Sequence, residues 1–150
     1  MDIGTLVDEY IDPVDLEKFR KVYEEQTRRG LPSAVAQFAY AHALIKSVKE
    51  DVRTGIFLLE GLLGRDSEDI PRRDNVYFLA IAHTRLKEYD RALAYIDLLL
   101  EAESDNRQAI GLKALIDKRM KRDGLMGLAL IGLGGVAALA AAGAIALRKH

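Results

Sequence analysis

Shifting the chain by 37 residues lays one stretch of it on another: Tyr40 falls on Tyr77, Ala43 on Ala80, Leu44 on Ile81, Gly55 on Ala92, Ile56 on Leu93, Leu59 on Ile96, and Leu62-Leu63 on Leu99-Leu100. Self-similarity at periods of about 20–50 residues marks stacked repeats, in which each supersecondary unit buries its apolar face on its neighbours. The small residues Gly55 and Ala92 occupy equivalent places, where two helices of one unit must approach closely.

The periodicity inside and around these units is helical. Asp12-Pro13 sets a cap residue before a Pro in a first turn, and Arg29-Gly30 supplies the matching stop. Between them Leu16, Phe19, Val22 and Tyr23 share one face at three- and four-residue spacing. Further helices are predicted over about Ser33–Ser47, Asp51–Leu63, Asp74–Leu86, Asp90–Glu101 and Asn106–Arg122, with Pro71 breaking the chain between the third and fourth. No apolar run alternates with period two, so the domain reads as an all-α, six-helix bundle.

The second unit, Leu86-Lys87-Glu88-Tyr89-Asp90-Arg91-Ala92-Leu93, resembles the tetratricopeptide pattern, in which an aromatic precedes a small residue by three. Val52 takes the aromatic's place in the first unit, and Ser104 replaces the closing Pro. The expected fold is two tandem tetratricopeptide-like repeats, with an irregular helical bundle as the alternative. In the repeat pattern the first helix of each pair lines a concave face. The inward positions then become Gln37, Tyr40, Leu44 and Ser47, followed by Asp74, Tyr77, Ile81, Thr84 and Arg85. That face carries no Lys/Asn clamp for a terminal carboxylate. Its aromatic and apolar character suits an amphipathic helix or extended peptide, although Leu44 and Ile81 serve equally well as core between repeats. Residues 1–12 form a candidate arm, because Ile3, Leu6, Val7, Tyr10 and Ile11 are too apolar for a solvated tail. Tethered beside the groove, they have a high effective concentration there. The alternative is that they extend the first helix.

Residues 13–124 make one domain. Leu125 to Leu147 are 23 consecutive uncharged residues, followed by Arg148, Lys149 and His150. As a helix at ~1.5 Å per residue the run reaches about 35 Å, enough for a hydrocarbon core of about 30 Å with some tilt. Met1 to Thr27 is charged throughout and offers no secretory signal, while Lys118, Arg119, Lys121 and Arg122 form a basic flank that favours the cytosol. The expectation is a cytosolic domain on a C-terminal transmembrane helix, with 148–150 as a short basic tail. Gly134, Ala138, Ala142 and Ala146 place small side chains on one face of that helix, where homo-oligomers could pack; an Ala-rich segment also produces such a ladder by chance.

Several chemistries are excluded. There is no Cys, hence no disulfide, thiolate metal site or thiol nucleophile. With Arg148 and Lys149 set aside, 20 Lys and Arg stand against 23 Asp and Glu, opposite to the basic excess of a nucleic-acid surface. His42 and His83 read as packed side chains. The glycines after residue 126 follow no strand and precede no Lys-Ser/Thr, so they are not a phosphate loop. Glu24-Glu25 and Glu68-Asp69 read as solvated charge. No catalytic residue, metal or cofactor is expected.

Longer blocks carry a closer likeness: Gln37-Phe38-Ala39-Tyr40-Ala41, Asp51-Val52-Arg53-Thr54-Gly55-Ile56, Tyr77-Phe78-Leu79-Ala80, Leu86-Lys87-Glu88-Tyr89, Asp105-Asn106-Arg107-Gln108-Ala109 and Lys121-Arg122-Asp123-Gly124-Leu125. Together they resemble the mitochondrial fission 1 protein family over nearly the whole chain, with His42 standing where that family often has an aromatic. The resemblance implies a tail-anchored adaptor that recruits a dynamin-related GTPase, directly or through adaptor proteins, for division of mitochondria and peroxisomes. It also implies an arm that lies over the groove and affects partner access. Likeness to other tail-anchored proteins makes Lys121, Arg122, Arg148 and Lys149, with the moderately apolar span, an address for the mitochondrial outer membrane and peroxisomes. The competing reading is a tetratricopeptide receptor or co-chaperone that binds targeting segments for organelle import.

Overall fold

The computed structural model describes residues 2–65 and 69–124, which form seven helices: α1 (Ile3–Asp8), α2 (Pro13–Arg29), α3 (Ala34–Leu44), α4 (Lys49–Leu63), α5 (Arg72–Arg85), α6 (Tyr89–Ala102) and α7 (Arg107–Arg122). Six of them match the periodicity to within a turn. The seventh, α1, lies inside the arm as a separate short helix, neither an extended arm nor a continuation of the first long helix. Side-chain caps fix several starts: Asp12 accepts from the Val14 amide at 2.8 Å, Ser33 from Ala36 at 3.1 Å and Asn106 from Ala109 at 3.0 Å. Among the described residues no helix is long and apolar enough to cross a membrane. The 125–147 span, its small-residue face, Arg148 and Lys149 lie outside the described residues.

Helices α3–α4 and α5–α6 are the two antiparallel repeats, stacked through α4 against α5, with α2 closing one side on α3 and α7 the other on α6. The first hairpin is held by a close approach at Gly55. A Cβ there would stand 2.8 Å from Ile45 Cγ2, 3.0 Å from the Ala41 carbonyl oxygen and 3.1 Å from Leu44 Cβ. Ala92, its counterpart, is fully buried. Leu59, Leu79, Ile96, Leu112 and Ile116 form the centre of one continuous core. Polar side chains tie the layers to it: Gln37 Nε2 donates to the Leu58 carbonyl at 2.9 Å and Asn75 Nδ2 to the Leu59 carbonyl at 3.0 Å. Helix α2 departs from its expected role. Leu16 and Tyr23 pack on the bundle, but Phe19 and Val22 remain 40% and 53% exposed, because α2 lies at the edge of the bundle with α3 as its main neighbour.

His83 is buried at the end of α5, stacked on Tyr95 at 5.7 Å, with Nδ1 3.0 Å from Glu88 Oε1. Burial lowers its pKa and outweighs the opposing bond to Glu88; burial and then the Lys46 charge lower that of His42. Both rings are therefore neutral in the fold at neutral pH, and His83 donates Nδ1–H to the carboxylate. The unfolded chain takes up protons at these sites first, as pH falls through ~6.5, so stability is fully present above that value and is lost on acidification towards the folded pKa values. Thermal melts between about pH 7.5 and about pH 5 should show Tm falling with pH, and His83→Gln should flatten the slope. An unchanged slope in the variant contradicts this assignment.

Candidate functional site: an arm seated in the concave face

Three helices supply the concave face, each through a row of residues one turn apart. On α3 and its extension the row is Phe38, His42 and Lys46; on α5 it is Phe78, Ala82 and Arg85; on α7 it is Gly111, Leu115 and Arg119. The aromatic part is contiguous. Phe38 and Phe78 meet edge-on with centroids 5.8 Å apart, the His42 ring sits 4.6 Å from Phe78, and Phe38 stacks on His42 at 6.1 Å.

The arm occupies the other part. A six-residue helix has no independent stability in water, so α1 exists because the bundle holds it. It packs against α5 and α7, and Val7 is wholly buried. Ile3 fills a notch in α7, its terminal methyl 2.5 Å from where a Cβ of Gly111 would stand. Arg85 satisfies the open carbonyls at the end of α1: Nη1 donates to the Val7 carbonyl at 2.9 Å and to that of Glu9, and Nη2 to the Ser47 carbonyl at 3.2 Å. The Tyr10 ring lies 4.3 Å from the same guanidinium carbon. Arg119 Nη2 meets Asp8 Oδ2 at 2.7 Å, Lys46 Nζ lies 3.3 Å from Glu9 Oε1, and the Ile11 amide donates to the Lys46 carbonyl at 2.8 Å.

Of the inward positions read from the repeat pattern, Arg85 and the Ser47 backbone meet the arm. The others face elsewhere. Gln37 turns to α4, where its Oε1 also accepts from Arg65 at 3.2 Å. Tyr40 packs on α2, its ring 5.1 Å from Tyr23. Leu44 and Ile81 are core, Tyr77 is 6% exposed, and Thr84 is fully buried with its hydroxyl donating to the Ala80 carbonyl at 2.7 Å. The Ser47 hydroxyl bonds Asp51 at 2.6 Å, and Asp74 sits beside Arg73 in the first turn of α5. The cause is rotational: the face runs one residue over, through Phe78, Ala82 and Arg85, and the row through Tyr77, Ile81 and Thr84 points into the core. Helix α7 was not expected to take part. Gly111, a helix-weakening residue inside an apolar pattern, was the one sequence sign that something approaches closely there. Ile3 and Leu6 of the arm do pack on the core, while Tyr10 is 71% exposed.

The end of α7 is fastened by the Tyr89 hydroxyl, which donates to Asp123 Oδ2 at 3.1 Å; Lys121 and Arg122 beside it are exposed. Among the described residues no three His, Asp or Glu side chains converge to hold a metal.

The notch yields a clean prediction. Gly111→Leu places a good helix former in α7 and fills the space that Ile3 uses. The arm should leave while the bundle stays folded. Amide exchange at Ile11, protected by the Lys46 carbonyl, should rise at least tenfold while the helicity of α2–α7 is kept and Tm falls by the few degrees that losing the buried Val7 contact implies. Unaltered protection in a folded variant contradicts the notch.

Comparison with known proteins points one way. Residues 73–125 match the model of the Fis1 C-terminal tetratricopeptide repeat. The FIS1-related protein fis-2 of Caenorhabditis elegans is 49% identical over 148 residues, covering 98% of this chain and 96% of that protein. The human mitochondrial fission 1 protein is 43% identical over 147 residues, covering 96% of each. Yeast Fis1, crystallised in complex with an Mdv1 fragment containing N-terminal extension and coiled-coil domains, superposes with a TM-score of 0.71 at 29% identity, covering 83% of this chain and 95% of that one.

Proposed function

The chain belongs to the mitochondrial fission 1 protein family, and from that premise we propose that it is a tail-anchored receptor on the mitochondrial outer membrane and peroxisomes. Its concave face holds a helical segment of an adaptor or of a dynamin-related GTPase, and its arm regulates access. Family membership makes it a tetratricopeptide-like adaptor and not an enzyme, so the membrane-cutting chemistry belongs to the partner. The observation that carries the reading is the arm itself. A face that already accepts one short amphipathic helix, through the Gly111 notch and Arg85, is built to accept another, and the rings of Phe38, His42 and Phe78 extend it. The yeast relative has a solved complex with an adaptor fragment, which supports a partner of that kind.

The domain's exit point favours the anchored arrangement: α7 ends at Arg122, and the uncharged run begins three residues later. Deleting residues 1–9 from the anchored chain tests the arm. Tighter capture of the adaptor means the arm competes for the face, and weaker capture means it forms part of the partner's site. Competition is expected, because Ile3, Leu6 and Val7 occupy apolar surface that an incoming helix would use. Unchanged capture contradicts a role for the arm. The address lies in the tail. Exchanging four span alanines for Leu, or Arg148 and Lys149 for neutral residues, should move the protein to the endoplasmic reticulum, and unchanged mitochondrial imaging of both contradicts that assignment.

A further inference from the structure

The way the arm is held says what its replacement must look like. Arg85 does not simply pair with a charge. Its Nη1 collects two carbonyls, from Val7 and Glu9, at the point where α1 stops and Glu9 turns to extended backbone with φ −60° and ψ 140°. A continuous helix uses those carbonyls internally, so only a helix that ends at this place can offer them. Two further groups read the same terminus. Arg119 takes the carboxylate of the last helical residue, Asp8, and Tyr10, two residues on, lies over the Arg85 guanidinium. Upstream, Ile3 and Val7 present one apolar row at four-residue spacing, with Ile3 in the Gly111 notch.

We infer that the arm is a built-in copy of the ligand, and that the concave face recognises a helix terminus in a partner protein. That segment carries apolar residues at one position and at three and four residues beyond it. An acidic residue follows at once where the helix stops, and an aromatic stands two residues after that. The inference rests on the concave face being the partner site, and adds which segments it selects. Charge complementarity agrees: Arg85, Arg119 and Lys46 surround the point where the helix ends, so the segment's carbonyls and the two carboxylates of Asp8 and Glu9 meet three cations.

The test uses the full chain with the arm released by Leu6→Pro, which disrupts α1 and changes no residue of α2–α7; Ile3→Ser serves as a second release, and circular dichroism checks that both variants keep the helicity of the bundle. Fluorescein-labelled ten-residue peptides are titrated against it. One carries the sequence of residues 2–11, one has its Asp8→Lys exchange, one its Tyr10→Ala exchange, and one keeps the three apolar positions but continues as an uninterrupted Ala-rich helix. The arm peptide should bind the released chain at least tenfold more tightly than the unsubstituted chain, and each altered peptide should bind the released chain at least tenfold more weakly. Adding Arg85→Gln should abolish the preference for the interrupted helix. If the uninterrupted helix binds as well as the arm peptide, the face is a general apolar trough: the inference fails and the partner site stands. If no peptide binds the released, folded chain, the concave face is not the partner site and both fail.

Discussion

Replacing Tyr77 by Ala should lower the unfolding free energy by about 3–5 kcal/mol, as truncation of a buried aromatic does when its surroundings only partly collapse. Tyr77 is 6% exposed, meets Phe78 edge-on with centroids 5.5 Å apart, and belongs to the same buried cluster as Leu59 and Ile81. Burial also raises the pKa of its phenol, consistent with a side chain cut off from water. Against a typical domain stability of about 5–15 kcal/mol, such a loss leaves the fold marginal. Partner binding will fall with it, through unfolding. Chemical denaturation checks the value; a change below about 1 kcal/mol contradicts the buried placement.

Its neighbour in sequence should behave in the opposite way. Phe78→Ala removes the ring that joins Phe38 and His42 into one aromatic surface on the concave side. Phe78 is only partly buried, so the bundle should keep most of its stability and its helicity. Large aromatic side chains at the centre of an interface dominate binding, and truncating one costs about 1.4–3 kcal/mol, or roughly a 10- to 150-fold weaker complex. Titration of a labelled partner helix against the arm-released chain measures it. If Phe78→Ala binds like the parent, the aromatic part of the face is not used.

These two adjacent residues also show where the sequence was legible and where it was not. Helix existence was: the Asp12 cap, the stops at Gly30 and Pro71, and the apolar spacing of α2, α4, α6 and α7 set the elements, and the close approach at Gly55 followed from its alignment with Ala92. Rotation was not. Tyr40 and Tyr77 align across the repeat and looked like one inward row, but Tyr40 packs on α2 and Tyr77 enters the core, because the first repeat has α2 beside it where the second has α4. One residue of error is about 100° on a helix, enough to exchange core for surface. Helix α1 was missed for a different reason. Six residues are too few to show a period, and what stabilises them comes from Arg85 and Arg119, far along the chain. Local propensity carries no trace of such contacts. The arm's apolar composition did mark it as more than a tail.

Photocrosslinking from the full-length protein in cells asks whether partners dock on the concave face beneath the arm, with a benzophenone amino acid in place of Phe78 on the concave side or of Phe57 on α4, a residue 72% exposed. A fission adaptor or a dynamin-related GTPase should be captured from position 78, capture should increase when residues 1–9 are deleted, and position 57 should capture neither. Capture from position 57 alone, indifferent to the arm, would contradict docking on the concave face.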